Sequence, residues 1–222
     1  MDEVRTVVSR DGTTIAYARY GTGAAAGPAV VLVSGALRTG ACEAPLARLL
    51  ARSFPVFVYD RRGLGGSGDT GPYAVEREFE DLAAVLEAAG PGAAVHGSGT
   101  GGALALAAAA AGLPVGAVSV FEPPYAVPGP RPEEPAAFPY PAACDRAVPG
   151  DGVPPEVHAR VLVIDGGASP APVRRAARAL TAFLPRARHR TLTGQTHEVA
   201  PHVLAPVVAE FVTEVAEAAD VA

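Results

Sequence analysis

Five short apolar runs recur along this chain: AVVLVSG (29–35), FPVFVYD (54–60), AAVHG (93–97), VGAVSVF (115–121) and RVLVIDG (160–166). Each is nearly continuous rather than alternating, the pattern of a strand covered on both faces. Between them lie segments of helical period: ACEAPLARLLAR (41–52), VEREFEDLAAVLEAAG with its stop at Gly90, the Ala-rich GGALALAAAAAG, and residues 172–184. Strands alternating with helices predict an α/β fold, a three-layer α/β/α sandwich about a mostly parallel sheet of about seven or eight strands. Sites in such folds lie outside the carboxyl ends of the strands. VRTVVSR and TIAYARY flank the turn at Asp11-Gly12, which predicts an antiparallel first pairing. RARHRTL predicts a last strand and APHVLAPVVAEFVTEVAEAA a closing helix, in which Pro206 marks a kink or a late start.

The chain has 222 residues, 49% of them apolar and 18% charged, enough for a full core in one domain spanning 1–222. Its net charge is -5 and every basic residue is Arg, so there is no electrostatic footprint for nucleic acid and no lysine to form a Schiff base. Cys42 and Cys144 are too few for a disulfide framework, and no Cys/His cluster has metal-ligand spacing. Neither a metal nor a cofactor is expected. The start, MDEVRTVVSR, is acidic and lacks a hydrophobic signal core, which predicts a cytoplasmic protein. Residues 103–111 are apolar but too short to span a membrane. The expected partner is a small molecule, apolar or bulky, bound by a monomer or homodimer. One segment breaks the alternation: residues 122–156 carry eleven prolines in 35 positions. So long an irregular connection reads either as a lid over the pocket or as a surface excursion. The lid is the preferred reading, because the segment leaves and re-enters at two strand ends.

Four motifs resemble those of the α/β-hydrolase superfamily, and the similarity covers nearly the whole chain. VVLVSGAL is similar to the loop after the third strand that supplies an oxyanion donor. YDRRGLGGSGDTGPY resembles the Asp-x-Arg-Gly-x-Gly-x-Ser turn, HGSGTGGALAL the nucleophile elbow, and GQTHEVAPHVLAPVVAEF the loop that delivers the histidine. The chain looks most like the small bacterial members in which FEPPY follows the sixth strand. Those usually carry a helical cap after it, so the resemblance implies a cap reduced here to the proline-rich segment.

Two departures fall on the chemistry. In the family pattern glycine-x-nucleophile-x-glycine, Gly97 and Gly101 frame the turn and the nucleophile position is Gly99. Where most members place an acid after the seventh strand, this chain has Ser169. A glycine at the elbow removes the nucleophile but leaves the N–H groups of Ala36 and Thr100, which the resemblance implies as oxyanion donors. Ser98 lies one position early and in the family register points inward or sideways. His197 matches the family histidine and can move protons near neutrality. Its orienting acid is Glu122 or Asp165; Glu122 is preferred, because two prolines fix the chain after it, while Asp165 is the alternative or merely caps the next turn. His96 reads as core, and Asp60 and Arg62 as locks on the loop after the fourth strand.

The expected function is therefore an atypical hydrolase-fold enzyme that lacks the serine. It would use His197 and oxyanion support for cyclisation, carbon–carbon bond chemistry, isomerisation or direct water attack, in a biosynthetic setting such as secondary metabolism. The alternatives are an inactive ligand- or partner-binding relative and an ordinary serine esterase using Ser98.

Overall fold

In the computed structural model, which describes residues 4–21, 27–125 and 157–220, the apolar runs form the centre of one eight-stranded sheet. The strands are β1 (Val4–Val8), β2 (Thr14–Tyr20), β3 (Val30–Val33), β4 (Val56–Tyr59), β5 (Ala94–Ser98), β6 (Ala117–Phe121), β7 (Arg160–Gly166) and β8 (Ala187–Leu192). Their order across the sheet is β1-β2-β4-β3-β5-β6-β7-β8. β2 runs antiparallel to both β1 and β4, and every pairing from β4 to β8 is parallel. The antiparallel start follows from the tight turn at Gly12, whose φ is 88°. The parallel remainder follows from the helical crossovers.

Alternate residues of the central strands feed two cores. Val31, Val33, Val95, Val120 and Val163 face the layer formed by α2 (Val75–Ala89), α3 (Thr100–Ala110) and α4 (Ala171–Phe183). Val30, Leu32, Val58, Phe121 and Ile164 face α1 (Ala44–Leu50) and α5 (Pro201–Asp220). That two-sided burial explains why the sequence runs are continuous rather than alternating. α3 is buried from Thr100 to Ala108, and glycines let its first turn sit close to β5: a Cβ at Gly97 would run into the Gly101 carbonyl, and one at Gly102 into that of Gly97. α2 ends at Gly90, at φ 96°. α5 begins at Pro201 and continues through Pro206, so the late start is not adopted. Packing of Leu204, Ala205 and Val208 into the core holds the helix across the one backbone hydrogen bond that proline forfeits. The proline-rich segment read as a lid lies, from residue 126 to 156, outside the described residues.

The turn after β4 is locked by charge. Asp60 accepts the N–H of Gly40 at 2.6 Å and that of Gly66 at 2.8 Å. Arg62 pairs with Asp81 at 2.7 Å and Asp11 at 2.9 Å. Arg61 clamps Glu78 through two bonds of 2.6 Å, with both side chains nearly fully buried. Removing one partner of such a pair strands the other charge in the interior. Arg61→Ala should therefore lose about 3–5 kcal/mol in equilibrium urea unfolding. A loss near the ~1 kcal/mol of a surface pair would show that the clamp is dispensable.

Candidate active site

β5 ends at Ser98, and Gly99 turns the chain into α3 at φ 54°, ψ -126°. Side chains with a Cβ rarely adopt that conformation, and the backbone is fixed there by several bonds. The Gly99 N–H donates to the Phe121 carbonyl at 2.8 Å, and its own carbonyl accepts from Gly102 and Ala103. Two residues on, Gly101 is required by space, since a Cβ would run into the Val33 and Ser34 carbonyls. Gly99 differs: among the described residues a Cβ there would meet only the His197 ring, 3.7 Å from Cε1 and 3.8 Å from Nε2, ordinary contact distances. The elbow is thus built, with room for a side chain at its tip.

His197 reaches that tip from the loop between β8 and α5. Gln195 shapes the loop: its side-chain oxygen accepts the Ala200 N–H at 3.0 Å, and its carbonyl accepts that of Ala168 at 2.9 Å. His197 Nδ1 lies 2.9 Å from Glu122 Oε2. Glu122 Oε1 accepts the Gly166 N–H at 2.8 Å. Glu122 has φ 45°, unusual for a residue with a side chain, and this turns it off the end of β6 toward the histidine. Its carboxylate is nearly fully buried, while the His197 side chain is 44% exposed. Burial pushes the Glu122 carboxyl pKa up, but hydrogen bonding from His197, then Ser169 and the Gly166 N–H, outweighs it and holds the group below its ordinary value.

That depression fixes a sign. Glu122 stabilises the fold fully above the ordinary carboxylate range, and this contribution fades as pH falls through the lowered folded value. Glu122→Gln should therefore shrink the acid-side loss of stability, measured as urea midpoints from neutral pH downward. An unchanged acid limb would mean that the carboxylate is not coupled to folding.

Asp165, the alternative partner, does not meet His197. It lies in register with Thr191 on the same side of β7 as Val163, and its Oδ1 is 3.3 Å from His189 Nε2. A residue inside a strand must alternate with its neighbours, whereas Glu122 has left its strand and is free to turn. Ser98 Oγ lies 3.5 Å from Nε2 of the buried His96, whose Nδ1 is 2.8 Å from Ser119 Oγ. Burial lowers the His96 pKa to about 4, so this imidazole is neutral. Ala36 and Thr100 do meet, but through a side chain. The Ala36 N–H donates to Thr100 Oγ1 at 2.6 Å, so a ligand oxygen reaching that donor must displace the hydroxyl.

Ala36, Ser98, Gly99, Thr100 and His197 line a cavity of about 520 Å³ at the carboxyl edge of the sheet. Arg38 and Glu43 line it too, and neither stood out in the sequence. The available signal was one acid, Glu43, among the apolar residues that open ACEAPLARLL. Among the described residues no group of three His, Cys, Asp or Glu side chains is placed to hold a metal, and no helix is long and apolar enough to cross a membrane.

Residues 30–221 match the model of the alpha/beta hydrolase family. Among solved structures, an alpha/beta hydrolase from Sphaerobacter thermophilus DSM 20745 is 43% identical, with TM-score 0.79, over 93% of this chain and 99% of that one. The bottromycin epimerase BotH, solved with bottromycin A2, is 25% identical, with TM-score 0.68, over 96% and 100%. The esterase RhEst1 from Rhodococcus sp. ECU1013, at 22% identity and TM-score 0.73 over 96% and 99%, shares the fold. No curated protein matches the chain.

Proposed function

The chain belongs to the alpha/beta hydrolase family, and we propose that it is an enzyme of that family that works without an acyl-enzyme, using His197 to move protons on a small organic substrate. The observation that carries this reading is a histidine–carboxylate pair, His197 with Glu122, set over a glycine. An acyl-enzyme needs a hydroxyl or thiol at the elbow tip, and Gly99 has neither. General acid–base catalysis needs only an imidazole of fixed tautomer within reach of the substrate, about 3 Å in a productive pose. Glu122 at Nδ1 leaves Nε2 as the nitrogen on the side of Gly99. Isomerisation, cyclisation, carbon–carbon bond chemistry and direct attack by activated water all fit. That a 25% identical structure is named an epimerase supports proton transfer at carbon over hydrolysis. We place the enzyme in the cytoplasm, in a biosynthetic pathway of secondary metabolism. It would act as a monomer or homodimer on an apolar or bulky substrate, with the proline-rich segment as a lid.

The test pairs two measurements on the wild-type protein. Treatment with a serine-reactive fluorophosphonate should leave the intact mass unchanged, and a panel of carbonyl carbon acids in D₂O should show enzyme-dependent deuterium uptake. A phosphonate adduct on Ser98 would hand the site to an ordinary serine hydrolase. A second reading, a ligand-binding relative without turnover, draws on Thr100 Oγ1 standing on the Ala36 N–H. It predicts ligand affinity indifferent to His197→Ala and no deuterium uptake.

A further inference from the structure

We propose that Glu43 is a second proton-transfer group in the cavity, working across from His197, so that the site takes a carbon acid and inverts or relocates a hydrogen. The inference rests on the proton-transfer reading above and narrows it to a substrate class: molecules with a hydrogen on carbon next to a carbonyl.

Glu43 closes the short 3-10 turn Gly40–Glu43 that leads into α1, and it is 8% exposed yet lines the cavity. That turn stands over β3 and β4, tied there by the bond from the Gly40 N–H to Asp60. Glu122 and His197 arrive from the other direction, from the end of β6 and from the loop after β8. Since β5 lies between β3 and β6 in the sheet, Glu43 reaches the cavity from the β3–β4 side of the Gly99 tip and the His197 pair from the β6–β8 side. A substrate seated over Gly99 lies between two proton carriers.

The ordinary structural uses of a buried glutamate are not taken up. Glu43 is the N-cap residue of α1, but its side chain makes no capping bond. Among the described residues it has no hydrogen-bond partner and no ion pair, although the charge of Arg38 is close enough to be felt. A carboxyl buried without a partner is unfavourable as an anion, and it persists more readily as a neutral acid. Burial does raise its pKa, with Arg38 offsetting only part of the rise. Among the described residues the other titratable or charged groups on the cavity wall are Arg38, Cys42, His197 and Glu198.

The step balances without any further reactant. His197 takes the hydrogen next to the carbonyl as a proton, and the C–H electron pair becomes the enolate. Glu43 gives its carboxyl proton to the same carbon from the other side, and the enolate pair forms the new C–H bond. Glu43 is left as carboxylate and His197 as imidazolium, and both reset by proton exchange with water. In reverse, the Glu43 carboxylate is the base and His197 the acid, which gives each group one face of the carbon.

That division sets the test. The probes are the two enantiomers of a 2-arylpropionyl thioester, incubated separately in D₂O and followed by chiral chromatography and mass spectrometry. The wild-type protein should convert each into the other with deuterium at the inverted carbon. Glu43→Gln should lose inversion by about 10²-fold or more. It should still exchange hydrogen for deuterium in the one enantiomer whose hydrogen faces His197, with retention of configuration. Glu43→Asp, which keeps the acid, should recover part of the inversion, and a thermal melt of each variant shows that it is folded. Inversion in Glu43→Gln within a few-fold of wild type overturns the role of Glu43 and leaves the His197 reading standing. Loss of inversion and exchange for both enantiomers in a folded Glu43→Gln protein also overturns it, because only one face should fail. If the wild-type protein neither exchanges nor inverts the probes, the proton-transfer reading falls, and the role of Glu43 with it.

Discussion

His197→Ala should lose about 10²- to 10⁴-fold in turnover while remaining folded, the range typical of removing a general acid–base group. The size of the effect follows from how little else is available at the elbow tip. Gly99 brings no side chain, Ser98 turns to a neutral buried His96, and the Ala36 N–H is engaged by Thr100. Folding should survive, because His197 is on a loop and nearly half exposed. Its loss does deprive Glu122 of one hydrogen bond, but the Gly166 N–H still solvates that carboxylate. Glu122→Gln should cost less turnover, since Glu122 orients the imidazole and does not itself react, but the cost is real: one amide oxygen cannot accept from both the Gly166 N–H and His197 Nδ1 as the two carboxylate oxygens do. The check is steady-state kinetics on both variants with a substrate found by deuterium uptake, alongside thermal melts. Full activity in His197→Ala would defeat acid–base catalysis at this residue and favour a binding role.

How much of this was legible beforehand depends on whether a feature is written along the chain or across it. The strands were readable because burial on both faces leaves continuous runs such as RVLVIDG, which matches β7 residue for residue. The glycine at the elbow tip was readable because a strand, a turn and a helix start are consecutive in sequence. The sequence favoured Glu122 over Asp165 without deciding between them, because the geometry depends on a backbone sign: φ 45° swings Glu122 out of its strand, whereas Asp165 stays within β7 and meets His189. Nothing local announces a positive φ at a non-glycine residue. Pro206 misled in the opposite sense, since tertiary packing of α5 overrides a local penalty. Thr100 on Ala36 and Glu43 in the cavity joined the picture only when separate segments came together: the first pair is 64 positions apart, and Glu43 meets a wall built from four different loops or helix starts.

Gly99→Ser should turn an inert elbow into one that reacts with a fluorophosphonate, giving an intact-mass adduct that the wild-type protein does not form. The geometry already accommodates the change. A Cβ at position 99 would sit in ordinary contact with the His197 ring, 3.8 Å from Nε2, and a hydroxyl one bond further out comes within hydrogen-bond range of it. Glu122 holds the far side of the imidazole, so the three groups would stand in the order hydroxyl, imidazole, carboxylate. The strain of a side chain at φ 54° should appear as about 1–3 kcal/mol of lost stability in urea unfolding. Labelling should outrun ester turnover, because hydrolysis also needs donors for the developing oxyanion and the Ala36 N–H is engaged by Thr100 Oγ1. Adding Thr100→Ala should release that donor and raise p-nitrophenyl acetate hydrolysis by up to about 10²- to 10³-fold, the usual worth of one such bond. The native reaction should not improve, since the new side chain takes the space over Gly99 where the substrate is expected to sit. A folded Gly99→Ser protein that stays unlabelled would show that His197 and Glu122 cannot activate a hydroxyl at the tip. The shared position of the histidine would then be inheritance from the fold, not retained chemistry.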